Sequence, residues 1–228
     1  VQTCALPISA IKGVGELAAD KDGRVAGDPL NLVMIGNSDD ILASLSRAGW
    51  SFTQVINFDT VRRMAGAAIS GAAYPVAPVS PLYFMNRPQD LALQRARNTI
   101  LQRNHLRLWL APFRFQGKSI WVGQVSRDID IKATTSSSTL TTHVIDPNID
   151  EAREHVLQSL LVAGSVTRFG FVAGIEPGTA ANPHTNLSDD PYFTDGLRLV
   201  VVLSGNTTTS PDAVGFFEWR ESMDPLGK

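Results

Sequence analysis

From His105 to Leu110, and again from Ile120 to Lys132, apolar and polar residues alternate with a period of two. Alternation sends successive side chains to opposite faces, so both stretches predict strands. In the first, Leu106, Leu108 and Leu110 share one face, while His105, Arg107 and Trp109 share the other. In the second, Trp121, Val125, Ile129 and Ile131 oppose Gln124, Ser126, Asp128 and Asp130. A Ser/Thr-rich turn leads on to a third strand, Leu140–Ile145. Together they predict an antiparallel sheet with one face on a core and the other polar.

The third strand runs into a helix. Asp146-Pro147 or Asn148 starts it, since Pro suits a first turn and Asn148 with Glu151 spells a capping box. Ile149, Ala152, Val156, Leu160 and Ala163 make its apolar stripe; Glu151, Glu154, His155 and Gln158 lie outside it, and Gly164 ends it. Downstream, SVTRFGFV predicts a strand, 177–191 a polar loop, and Leu197–Ser204 the most buried strand of the sheet.

Upstream, Leu30–Ile35 is a short apolar run ending at Gly36, read as a buried strand. Asn37 and Ser38 are N-cap candidates, and Asp39 and Asp40 suit the positive end of a helix. Ile41, Leu42, Leu45 and Ala48 then recur at helical spacing before Gly49. A second amphipathic helix is expected from Asp59 to Gly71. Between Tyr74 and Gln94, Pro75, Pro78 and Pro81 favour extended backbone, either as an ordered crossing segment or as one wall of a pocket. The whole predicts an α+β fold: a mixed, largely antiparallel sheet packed against two to three helices.

A net charge of −2 over 228 residues gives no global attraction to nucleic acid, and no zinc finger, RNA-recognition motif or P-loop is legible. No apolar run approaches the ~20 residues that a bilayer crossing needs. Val1–Ile8 (VQTCALPI) reads as a translated sequencing adapter and is set aside with the flanking residue. It holds Cys4, the sole cysteine, so the remainder has no thiol for disulfides, thiolate catalysis or zinc–thiolate sites. An artefact there also implies an upstream portion ahead of this fragment. From Arg87 to Lys118 the cations Arg87, Arg95, Arg97, Arg103, Arg107, Arg114 and Lys118 meet only Asp90 as a local acid. Such a run is an anionic-lipid or phosphate surface, or a solvated face balanced by distant carboxylates.

Asp128, Asp130, His143 and Asp146, with Asp150 as a further member, form the sharpest catalytic candidate. Asp128 and Asp130 are two apart on one strand, and pairing with 140–145 would set His143 beside them. Carboxylates with one imidazole suit a divalent metal, or general acid–base work on a phosphoester. The competing reading has Asp146 capping the helix, both aspartates on a solvated face and His143 structural. A second set, Arg87, Arg107, Asp190, Tyr192, Asp195 and Arg198, is a ligand-binding candidate. Asp190-Pro191 and Asp195-Gly196 read equally as tight turns. No G-x-S-x-G or G-x-G-x-x-G occurs.

The blocks PVAPVSPLYFMNRPQDLALQ, LRLW, WVGQVSRDIDI, LTTHVIDPNIDEAR and DDPYFTDGLR, in that order, resemble the LssY C-terminal domain family. The resemblance divides the chain into adapter (1–9), linker (10–29), LssY-like domain (30–204) and C-terminal extension (205–228). It implies a bacterial protein in which such a domain often follows a membrane portion, of the type-2 phosphatidic acid phosphatase or DedA kind. The phosphatase catalytic motif is absent here. The expectation is therefore a soluble accessory or ligand-binding domain, membrane-associated through the region ahead of it. Its partners would be that membrane portion and anionic lipid head groups. The alternative is a metal-assisted hydrolase of a phosphorylated or lipid-derived substrate.

Overall fold

The two alternating stretches become the longest strands among the described residues, joined as one hairpin. A computed structural model describes residues 17–19, 26–53, 82–96, 103–133 and 141–217. The helix expected at 59–71, Pro75, Pro78, Pro81, the Ser/Thr-rich turn and Cys4 lie outside the described residues. The first strands are β1 (Leu17–Ala19), β2 (Ala26–Pro29), β3 (Leu32–Ile35), β4 (Ser51–Phe52), β5 (Tyr83–Phe84) and β6 (Arg87–Pro88). Then come β7 (Leu91–Ala96), β8 (Arg103–Phe115), β9 (Lys118–Ala133), β10 (Thr141–Ile145) and β11 (Val166–Ala173). The last are β12 (His184–Thr185), β13 (Pro191–Tyr192), β14 (Leu197–Leu203) and β15 (Gly215–Phe216). Two α-helices occur among the described residues, α1 (Ser38–Arg47) and α2 (Ile149–Val162).

A nine-stranded sheet runs β15-β11-β14-β3-β9-β8-β7-β4, with β10 beside the far end of β9. Only β14–β3 and β11–β15 pair in parallel within it. The fold class is therefore α+β with a mixed sheet. Strand β9 pairs with β8 along one edge and with β3 and then β10 along the other. The gap between β3 and β10 is bridged by Asn31, whose side-chain amide both donates to Val125 O and accepts from Val125 N, each at 3.0 Å. One side chain thus stands in for a strand residue and satisfies two buried backbone groups.

Both faces of the sheet are covered. On one, Leu32, Met34, Leu106, Leu108, Trp121, Val125, Leu199 and Val201 form a single cluster with Ile41, Leu45, Val156 and Leu160 of the helices. On the other, Val33, Ile35, Trp109, Ile120, Val122 and Val200 pack with Ala18, Leu30 and Leu82. This second face was expected to be polar. A small sheet ordered β2-β1-β5-β6 contributes Ala18 and Phe84 to its cover. Every residue of β3 is buried, as are Leu199, Val200 and Val201 of β14, which is why both runs read as continuously apolar.

The helix ends follow local chemistry, with one correction. Asn37 caps α1, and its N–H donates back to Asp40 Oδ2 at 3.0 Å. At α2 the Asn148–Glu151 capping box does not form. Asp146 Oδ1 accepts the Asn148 N–H at 2.9 Å instead, and Glu151 is drawn to Arg127 at 2.9 Å. Gly164, at φ +61°, closes α2, where Ser165 N–H reaches Leu160 O at 2.8 Å.

Candidate functional site

Arg103, His105 and Arg107 occupy alternate positions of β8 and so project to one face. Their partners across the ladder are Asp128, Ser126 and Gln124 of β9, and all six are buried. His105 Nε2 lies 2.5 Å from Asp128 Oδ2, and Arg103 Nε donates to the same oxygen at 3.4 Å. Arg107 Nη1 donates to Gln124 Oε1 at 2.8 Å, and Gln124 Nε2 passes the chain on to Asp28 Oδ2 at 3.1 Å. Strand periodicity thus builds a row of polar and charged side chains held in two hydrogen-bonded segments, Arg103–Asp128–His105 and Arg107–Gln124–Asp28.

The loop before β14 closes over this row. Asn186 Oδ1 accepts the N–H groups of Ser188 and Asp190, at 2.8 and 2.9 Å, which fixes a turn. From that turn Asn186 hydrogen-bonds Asp28, while Asp190 and Tyr192 are buried beside it. Burial raises the Asp28 carboxyl, against the pull of Arg107 and the Asn186 hydrogen bond. Burial, with the nearby Asp28 charge, pushes the Tyr192 phenol up to about 12. Burial also drives the His105 imidazole down to about 4, outweighing the attraction of Asp128. At neutral pH His105 is therefore uncharged, and the Arg103 guanidinium faces the Asp128 carboxylate.

Four sequence-predicted residues meet here, namely Asp128, Arg107, Asp190 and Tyr192, all within electrostatic reach of Asp28. The rest lie elsewhere. Asp130 is exposed, because the β10–β9 register slips between Val144 and Ile145: Val144 faces Asp130 and Ile145 faces Asp128, leaving Ile129 over. That bulge also leaves Ile129, expected on the core face, 38% exposed. The His143 backbone pairs with Ile131; its side chain lies outside the described part. Asp146 is held by Arg127 Nη2 at 2.5 Å. Arg87 pairs with Asp90 at 2.7 Å at the β6 edge, and its Nη2 donates to Leu110 O. Arg198 is fully buried in β14 and donates from Nε to Leu30 O at 2.6 Å.

Asp195 belongs to a second network, centred on the buried Arg153 of α2. Arg153 grips Asp195 with two bonds, 2.7 and 2.9 Å, and also reaches Asp150, Glu154 and Leu197 O. Burial opposes ionisation of Asp195, but the bonds from Arg153 and the Leu197 N–H prevail and hold its carboxyl below the usual range. Asp150 in turn accepts from Thr194 Oγ1 and the Asp195 N–H, each at 2.7 Å. Sequence reasoning placed Arg103 only in the cationic run, and it passed over Asp28 and Arg153. The Asp150–Arg153 spacing of three on a helix was the one signal for the last. Among the described residues no group of three His, Cys, Asp or Glu side chains is arranged to hold a metal ion.

Fold and site together define an α+β domain whose sheet carries an enclosed row of charges. The family model described as the LssY C-terminus matches residues 11–197, and the chain belongs to that family. The match takes in β1, β2 and Asp28 as well as the β8–β9 hairpin. No curated protein and no solved structure matches the chain. No helix among the described residues is long and apolar enough to cross a membrane.

Proposed function

We propose that this chain is a non-catalytic accessory, ligand-binding domain of a bacterial membrane-associated protein. The observation that supports this reading over a hydrolase is how the charged residues are used. Asp128 already holds an imidazole and a guanidinium, Asp146 holds Arg127 and a helix N–H, and Asp195 holds Arg153. Carboxylates committed to guanidinium groups fix the geometry of a scaffold and are poor ligands for a hard cation, which needs several oxygens at ~2.0–2.6 Å. An imidazole held neutral beside the Asp128 side chain and enclosed by protein has no open approach for a substrate proton. The full chain incubated with p-nitrophenyl phosphate and Mg²⁺ or Mn²⁺ should match the blank. Metal-dependent turnover that Asp128→Asn abolishes would overturn this function.

A further inference from the structure

A cleft of about 470 Å³ opens where the C-terminal ends of α1 and α2 meet the β4–β7 edge. Its lining includes Arg47, Arg95, His155 and Gln158, with Val162 and Ala48 as apolar wall, and no carboxylate among the described residues. A neighbouring hollow of about 340 Å³ along the same helix is lined instead by Asp150, Glu151 and Glu154. Those acids are matched by Arg153 and Arg127. Arg47 and Arg95 of the larger cleft have no such carboxylate match among the described residues.

Arg47 bonds to oxygens that bear no full charge: Ala163 O, Ser165 Oγ, Gly205 O and Thr207 O, at 2.8 to 3.2 Å. These bonds use Nε and Nη2 and hold the guanidinium rigidly, and Nη1 takes no part in them. Arg95 Nη1 lies 3.2 Å from His155 Nε2. A guanidinium is only a donor, so the imidazole nitrogen facing it is the acceptor. Two full positive charges therefore line one cleft with no acid beside them among the described residues. The carbonyl ends of α1 and α2 would oppose an anion there, but Arg47 already covers Ala163 O at the end of α2. Planar guanidinium groups held in place favour oxyanions, and the three terminal oxygens of a phosphate monoester suit two of them better than a carboxylate does.

We infer that this cleft binds a phosphate-type oxyanion through Arg95 and Arg47, with Gln158 as a neutral donor and Val162 beside any apolar substituent. The inference rests on the accessory-domain reading and gives its ligand a chemical class. A free phosphate and a phosphomonoester lipid head group share that chemistry, so the experiment has two arms. Inorganic phosphate is titrated calorimetrically into the full chain, and phosphatidylcholine vesicles with and without phosphatidic acid are floated with it. Saturable binding in either arm should weaken roughly tenfold or more in Arg95→Gln. Gln158→Glu, an exposed change that places a carboxylate in the cleft, should weaken it too, while Arg114→Gln at the β8–β9 tip should not. Rising salt should weaken binding in parallel. Binding by phosphate alone identifies a soluble ligand, and binding only by phosphatidic acid vesicles identifies the lipid. Binding unchanged in both cleft variants, or absent from both arms, overturns the assignment. Failure of the accessory reading would show separately, as turnover of a phosphomonoester.

Discussion

Acid should unfold this protein partly through one imidazole. The His105 imidazole sits at about 4 in the folded chain against an ordinary 6.5. Between those values the unfolded chain binds a proton that the folded chain refuses, so stability is complete above the upper value and falls as pH drops toward the lower. The loss from this group is about 2 kcal/mol by pH 5 and approaches about 3 kcal/mol near pH 4. Asp28 acts in the opposite sense: its raised carboxyl keeps its proton longer in the folded state, so its contribution declines as pH rises through the folded value. Arg103, Arg107 and Asp128 also face the imidazole and remain in place. The comparison that isolates His105 is therefore the difference between wild type and His105→Gln. Urea denaturation of both at pH 7, 6 and 5 should show the wild type losing about 2 kcal/mol more across the series. Parallel profiles would refute the placement of a neutral, enclosed imidazole.

Other perturbations follow from the same packing. Asp128→Asn removes the carboxylate that faces the buried Arg103 and should lower stability by about 3 kcal/mol, read from the denaturation midpoint. Arg153→Met, which releases Asp195 and Asp150 together, should cost about 3 kcal/mol, toward the lower end because Asp195 is 44% exposed. Gly123→Val should destabilise strongly by thermal melting, since even a Cβ there would lie 2.9 Å from Leu108 Cδ2 and 3.2 Å from Leu32 Cβ. Asp146→Ala should cost about 1–2 kcal/mol through the lost α2 start, with no change in any metal titration.

Much of the framework was legible because it depends on local pattern. Period-two alternation placed His105 and Arg107 on one face of β8, and Gln124, Ser126 and Asp128 on one face of β9. What covers that face was not legible. Asp28 lies in a stretch that reads as linker, and Asn186 in a loop that reads as polar filler. Asp28 meets Gln124 from 96 positions away and Asn186 from 158, and no local pattern encodes such closure. The Asn148–Glu151 capping box failed for a related reason: Arg127, from another strand, takes Glu151. Asp130 was placed with Asp128 because alternation assumes an unbroken ladder, and the bulge at Ile129 breaks it. Arg153 was hidden by its residue type, since a buried arginine is intelligible only once Asp150 and Asp195 are seen around it.

The central claim is that the Asp128 carboxylate is spent on Arg103 and His105 and belongs to a scaffold. Calorimetric titration of Mg²⁺, Mn²⁺ and Zn²⁺ into the full chain at neutral pH tests it most directly, with Asp128→Ala and His143→Ala alongside. The account predicts no saturable heat in the wild type that either substitution removes. Stoichiometric metal binding abolished by Asp128→Ala would contradict it.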